Sequence, residues 1–414
     1  MLKLGVFSDT HIGRNIPRVV GDARRRAFRH AFRQAIDLFI QERVDYVIHG
    51  GDLFEKRSMT PEDAVFVKEE FYRLARGIPG IKIITVRGNH DGSPQSSSLD
   101  YITHPLADYF IVLGDKTLKG EREAYSDNKL SIAAMGYHPY ARSKFKEIAN
   151  IIKESWRENV IKILILHNYI DGVHDIPPST PDHSIINPKI IEEVEPNIVV
   201  AGHQHEPLGV MKNNDVSYVL PGSTEAVDLA ERGPFGVHIL ELEDSGVKAH
   251  KFLEIEPLQE IRHEVVASND PMPIEWFAQA CLNKLEEFAS NLDRDGIIRI
   301  LVKGVVITSS MFPELNLHDR IDEIRRRYGK LIHVEIQESL EPIMGDRSEA
   351  KPRGGIRIKE IFEELGGDAL ELIDEVSLTL DEKASEKTGV LRESDREQFV
   401  ERWVKIFLRR VSKE

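Results

Sequence analysis

Five short runs of β-branched and other apolar residues fall within the first 201 positions, and each stops at a loop that carries aspartate, histidine or asparagine. The runs are 3–7, 46–49, 82–86, 162–166 and 198–201. The side chains that follow are Asp9 and His11, then Asp52, then Asn89 and His90, then His167, and finally His203 and His205. Between the runs, stretches 24–42 and 61–75 have helical periodicity. Phe28, Phe32, Ala35, Ile36 and Phe39 fall on one face of the first. This alternation predicts an α/β fold whose sheet is sandwiched by crossover helices. In such folds the loops at the C-terminal ends of the strands converge on one crevice. Five separate loops are therefore expected to deliver Asp, His and Asn to a single place.

The same reading divides the chain. Runs 236–242 and 247–255, joined by a polar turn, read as a hairpin that closes a first unit over 1–255. A second module over 256–342 reads strand, helix, strand, helix, strand, at 260–267, 273–290, 297–306, 317–328 and 331–337. Residues 343–355 are polar and rich in chain breakers, which marks a linker. Helical segments 356–376 and 394–411 follow, within a C-terminal region 356–414.

A length of 414 residues suits two or three domains. The lone cysteine, Cys281, allows no internal disulfide and fits a reducing compartment. Polar residues enter the N-terminal segment almost at once, so no secretory signal is expected. No apolar run approaches the ~20 residues of a membrane span. A cytoplasmic protein without membrane contact is expected. The formal charge of −14 argues against non-specific coating of nucleic acid but not against an enzyme that acts on it, because local patches and bound cations reverse the field.

Carboxylates, imidazoles and a side-chain amide together are donors for divalent ions of intermediate hardness, such as manganese, iron or zinc. Asp52, with two oxygens, can bridge two of them. Paired ions about 3.5–4 Å apart stabilise both oxygens of a phosphoryl displacement and make water acidic enough to supply hydroxide near neutral pH. His30, His104, His238, His250, His263, His318 and His333 have no such company and read as structural or solvent-facing.

The order Asp-X-His, Gly-Asp, Gly-Asn-His-Asp, His, Gly-His-X-His resembles that of the calcineurin-like metallophosphoesterases. Further stretches narrow the likeness: Phe-Ser-Asp-Thr-His-Ile-Gly (7–13), Val-Asp-Tyr-Val-Ile-His-Gly-Gly-Asp-Leu-Phe (44–54), Arg-Gly-Asn-His-Asp (87–91) and Leu-Pro-Gly-Ser-Thr-Glu (220–225). They are similar to the nuclease subunits of the Mre/Rad double-strand-break repair complex, the SbcD-like branch. The resemblance implies a β-sandwich flanked by helices, a small α/β capping domain and C-terminal helices. It implies one ion on Asp9, His11 and His205, another on Asn89, His167 and His203, and Asp52 between them, with Mn2+ the expected metal. His90 would protonate the leaving 3′ oxygen or stabilise charge on the phosphate. The implied activity is 3′→5′ exonuclease on duplex DNA and endonuclease on single strands and hairpins. The implied partners are DNA, a second copy of the chain, and an SMC-like ATPase docked on the C-terminal helices and gating cleavage.

One position departs from the pattern. Family nucleases often carry His three residues after the bridging aspartate, and related phosphatases Asp; here it is Glu55. Its carboxylate is expected to accept a hydrogen bond from His90 and so assist catalysis. Arg18, Arg24, Arg25, Arg26, Arg29 and Arg33 form a candidate DNA-facing patch, and Arg325, Arg326, Arg327 and Lys330 a second cluster. Val400, Val404, Phe407 and Val411 make an apolar stripe on the last helix, flanked by Trp403, and Ile361, Phe362, Leu365, Leu372, Ile373 and Val376 another on 356–376. Both suit partner docking. The rival reading is a phosphomonoesterase or protein phosphatase on the same metal core, and a second rival is a non-catalytic tether for the ATPase.

Overall fold

The computed structural model describes residues 2–243, 246–308 and 314–344. Most of the expected linker and both C-terminal helices lie outside the described residues.

The first three runs form β1 (Leu2–Phe7), β2 (Tyr46–His49) and β3 (Lys82–Val86), with helices α1 (Gly21–Glu42) and α2 (Pro61–Gly77) between them. β4 (Phe110–Leu113) follows. Next come β5 (Tyr125–Ser126), β6 (Leu130–Met135), helix α3 (Ala141–Lys153), β7 (Ile161–Leu166) and β8 (Ile198–Ala201). A hairpin of β9 (Gly209–Asn213) and β10 (Val216–Leu220) precedes a second hairpin, β11 (Gly236–Glu243) and β12 (Gly246–Glu254).

These strands make two six-stranded sheets, ordered β12-β11-β1-β2-β3-β4 and β9-β10-β8-β7-β6-β5. Alternation alone suggests one sheet; the two sheets are the helix-flanked β-sandwich that the family resemblance implies. The five motif-bearing strands divide three and two, and the crevice is built where the ends of both sheets meet. Strands β4, β5, β6, β9 and β10 escaped the sequence reading. β6, Leu-Ser-Ile-Ala-Ala-Met, is buried at every position, so it shows no polar alternation to betray a strand.

Three apolar layers hold the sandwich. Leu4, Val6, Ile48, Ile84 and Val86 of the first sheet meet Ile132, Ile163, Ile165, Ile198 and Val200 of the second. On the outer face of the first sheet, Phe7, Val47 and Ile83 pack on Phe32, Phe39, Val67 and Phe71 of α1 and α2. On the outer face of the second, Ala133, Leu164 and Val199 pack on Phe145, Ile148 and Ile152. Alternate residues of β1 thus serve two cores. Thr60 caps α2 by accepting a hydrogen bond from the Asp63 amide, and Pro61 occupies the first turn, where no amide donor is needed.

The second module is an all-parallel sheet, β13 (Gln259–Pro273), β14 (Asp295–Thr308) and β15 (Leu331–Met344), with helices α4 (Ile274–Ser290) and α5 (His318–Arg327). Phe277, Leu285 and Phe288 of α4 pack on Val266, Ile298, Ile300 and Val302. The order of elements is as the sequence predicts, but the strands run longer. β13 passes through a bulge between Ser268 and Met272, where Asn, Asp and Pro read as a chain stop. Residues 1–344 form one compact unit.

Candidate metal centre

The strand ends place Asp9, His11, Asp52, Asn89, His90, His167, His203 and His205 around one crevice. Three sets of donor atoms lie within 4.8 Å of one another: Asp9, His11 and His205; His11, Asp52 and His90; Asp52, His167 and His203. Asn89 joins through its Oδ1, 3.2 Å from His167 Nε2.

The backbone is bent to achieve this. Asp9, His11, Asp52 and His203 have φ of 50°, 41°, 55° and 82°, in the left-handed region that L-residues rarely adopt. Cross-loop hydrogen bonds hold them there. Asp9 N donates to Gly51 O (3.0 Å) and His11 N to Asp52 O (3.1 Å). His203 N donates to the Asp9 carboxylate (3.1 Å), and His90 N to Asp52 Oδ1 (2.8 Å). A side chain on Gly88 would strike the Asp52 carboxylate, which is why the turn before Asn89 carries none.

Three of the imidazoles are aimed by their far nitrogens. His167 Nδ1 donates to the Gly50 carbonyl (2.7 Å) and His90 Nδ1 to the Glu55 carbonyl (2.9 Å). A carbonyl only accepts, so both rings carry the proton on Nδ1 and leave Nε2 for the crevice. His205 Nδ1 meets Glu231 Oε1 at 2.7 Å. Fixing the outer nitrogen in this way sets the orientation and basicity of a ligand imidazole.

The expected Glu55–His90 contact is corrected in its atom. The backbone carbonyl of Glu55, not its carboxylate, accepts from His90. The carboxylate turns the other way, to Arg14 Nη1 (2.9 and 3.0 Å) and to His11 Nδ1 (3.1 Å). Glu55 therefore touches two site histidines through two different groups.

The charges inside the crevice ask for a cation. Burial pushes the Asp9 carboxyl up. Burial opposes the charge of Asp52 too, but His167 and His11 hold it ionised. Burial likewise opposes a charge on His167, yet Asp52 and Asp9 lift it to about 9. Burial and the neighbouring His167 push His203 down to about 3. Buried His11 Nε2 has no hydrogen-bond partner and faces Asp52 at 3.9 Å. Buried carboxylates, an orphaned imidazole nitrogen and inward-facing Nε2 atoms fit divalent ions, whose binding displaces such protons.

Residues 2–207 match the model of the calcineurin-like phosphoesterase family. The chain carries a calcineurin-like phosphoesterase domain. It is 30% identical over 168 residues to the DNA double-strand break repair protein Mre11 of Sulfurisphaera tokodaii, covering 40% of this chain and 41% of that one. It is 27% identical over 246 residues to the protein of that name from Methanosarcina mazei (58% and 36%). It is 26% identical over 280 residues to the one from Thermoplasma acidophilum (64% and 68%). The chain thus spans less than half the length of the first two relatives.

Around the phosphoesterase centre stand further residues that were not among the candidate site residues. Glu231 holds His205, and Arg14 holds Glu55. The Asp91 carboxylate accepts from the amides of Gly88 (3.0 Å) and Phe54 (3.0 Å), tying two metal loops together, and burial lifts it to about 6 with help from Asp52. Only Asp91 stood inside a recognised motif.

Four of the six arginines of the candidate patch are engaged by the protein itself. Arg24 is buried against Glu225, Gln259 and Ala226 O. Arg29 pairs with Glu62 and Asp63, Arg33 with Glu70, and Arg25 with Asp22. A helix face rich in arginine is here largely neutralised by α2 and by its own first turn. In the second cluster, Arg327 pairs with Glu286 and Glu323, and Arg325 with Asp322. No helix among the described residues is long and apolar enough to cross a membrane.

Proposed function

We propose that the chain is a DNA nuclease that processes double-strand breaks. The observation that carries this reading is the convergence of three donor sets on Asp9, Asp52 and their histidines, beside a His90 whose Nε2 faces the same space, in a domain whose relatives bear the name of a break-repair protein. Asp9, His11 and His205 would hold one divalent ion and Asn89, His167 and His203 another, with Asp52 between them. Mn2+ is the proposed metal. Bound there, the ions would supply an acidified water and neutralise phosphate charge.

The chain's own groups then have definite tasks. His90, held by the Glu55 carbonyl, presents Nε2 to the leaving oxygen. As the water oxygen joins phosphorus and the P–O3′ bond breaks, that 3′ oxygen takes the Nε2 proton of the His90 imidazolium, which becomes neutral and keeps its Nδ1 proton on the Glu55 carbonyl. His90 N and the Asp91 carboxylate keep the Asp52 and Asn89 loops in register while this happens. The activities proposed are 3′→5′ exonuclease on duplex ends and endonuclease on single strands and hairpins. Assembly as a homodimer with an SMC-like ATPase, at the nucleoid in the cytoplasm, completes the proposal.

The test is cleavage of 3′- and 5′-labelled duplex DNA by the full chain with manganese, magnesium or chelator, beside p-nitrophenyl phosphate. Manganese-dependent loss of nucleotides from 3′ ends, reduced by about 10²–10⁴ in His90→Ala as for a lost general acid, is expected. Rapid p-nitrophenyl phosphate turnover with intact DNA would establish the phosphomonoesterase reading instead.

A further inference from the structure

The segment from Gly222 to Glu231 touches the metal centre near both of its ends and the second module through its middle. It grips His205 twice. Ser223 N donates to the His205 carbonyl (2.7 Å), and Glu231 Oε1 meets the ring Nδ1 (2.7 Å). Glu231 is itself fixed, because its Oε2 accepts from Val227 N (2.7 Å). Ala226, Val227 and Leu229 are buried, so the segment cannot shift without disturbing the packing.

Its other contacts lead outward. Asp228 Oδ1 accepts from Ala230 N (2.8 Å) and from Arg299 Nη1 (2.6 Å). Arg299 stands on β14 of the second module and lies 2.9 Å from Glu335 of β15, so it is anchored in that sheet. The buried Arg24 guanidinium makes a second tie. It donates to Ala226 O (2.5 Å), to Glu225 Oε1 (3.3 Å) and to Gln259 Oε1 (3.0 Å), the first residue of β13. Two arginines thus clamp one short segment between the module and the histidine.

We propose that this segment is a positioning element: Glu231 orients His205 for its ion, and Arg299 of the second module, through Asp228, sets where Glu231 stands. The second module thereby tunes the affinity of one metal position, the one served by His205, and leaves the position served by His167 and His203 alone. This rests on His205 being a metal ligand, part of the function proposed above.

The experiment is calorimetric titration of Mn2+ into the chelator-treated full chain, with Co2+ absorption as a second readout of ligand geometry. Glu231→Gln is expected to weaken one of two ions by about 10–100-fold, as loss of a ligand's outer partner does. Arg299→Ala is expected to weaken the same ion by about 3-fold or more. The exchange of Asp228→Arg with Arg299→Asp is expected to recover affinity to within about 2-fold of wild type. Thermal melts confirm that each variant folds, and Glu231→Asp, which keeps the charge on a shorter arm, replaces Glu231→Gln if that variant does not. Wild-type affinity for both ions in Arg299→Ala, or in the Glu231 variant, overturns the proposal, as does equal weakening of both positions. These comparisons need no DNA, so failure to cut DNA bears only on the nuclease reading.

Discussion

Acidification is expected to destabilise the sandwich through His238, which has no part in the metal centre. The residue lies on β11 opposite Val6, only 1% exposed, with its ring 4.9 Å from that of Phe252 and 6.1 Å from that of His250. Burial, with the nearby His250, pushes it from 6.5 down to about 4. Between those values the unfolded chain binds a proton at this position and the folded chain does not, so stability falls as pH falls. The slope is about 1.4 kcal/mol per pH unit, and the contribution is fully present above about pH 7.5. By pH 5 about 2 kcal/mol is lost, a large share of an ordinary domain's stability. Urea unfolding of metal-free protein at pH 8 and pH 5 measures it. His238→Phe should lose about 2 kcal/mol less than wild type over that interval. Equal losses in the two proteins would refute the assignment, and His238→Leu serves if the larger ring does not fit.

Two substitutions in the crevice have contrasting expectations. Glu55→Gln keeps the carbonyl that holds His90, so its pH–rate profile should superimpose on that of wild type. It removes the charge beside His11 and Arg14, so ion affinity measured by titration should fall by about 10-fold or more. Gly88→Ala forces a methyl group into the Asp52 carboxylate and should abolish high-affinity uptake of both ions, read by metal analysis after gel filtration, while the circular dichroism spectrum stays that of a folded chain.

What could be read in advance, and what could not, follows from the range of the forces involved. The metal loops were legible because strand ends are local: Phe7 and Asp9, or Ala201 and His203, are two residues apart. Their convergence follows from topology alone. The division into two sheets came only with the family resemblance and not from the runs themselves, because Val86 of β3 and Ile165 of β7 are equally apolar and nothing in either run says which sheet it joins. Partners far away in sequence were also hidden. Arg24 looks like a surface arginine until Glu225 and Gln259, more than two hundred residues on, close over it. Glu55 was placed correctly near His90 and given the wrong atom, because chain spacing cannot decide whether a side chain or its own carbonyl faces a neighbour.

The same long-range ties explain how the site tolerates its own strain. Left-handed backbone at a non-glycine residue costs on the order of 1–3 kcal/mol. Asp9, His11, Asp52 and His203 all adopt it. None could hold that shape on an isolated loop. Here each strained residue is hydrogen-bonded to a loop from another strand: Asp9 and His11 to the Gly51–Asp52 loop, and His203 across the sandwich to Asp9, 194 residues away. The strain is offset by the sandwich as a whole, whose inner core joins both sheets directly beneath these loops. A rigid two-sheet body is therefore what lets eight donor and acid groups face one another across the crevice.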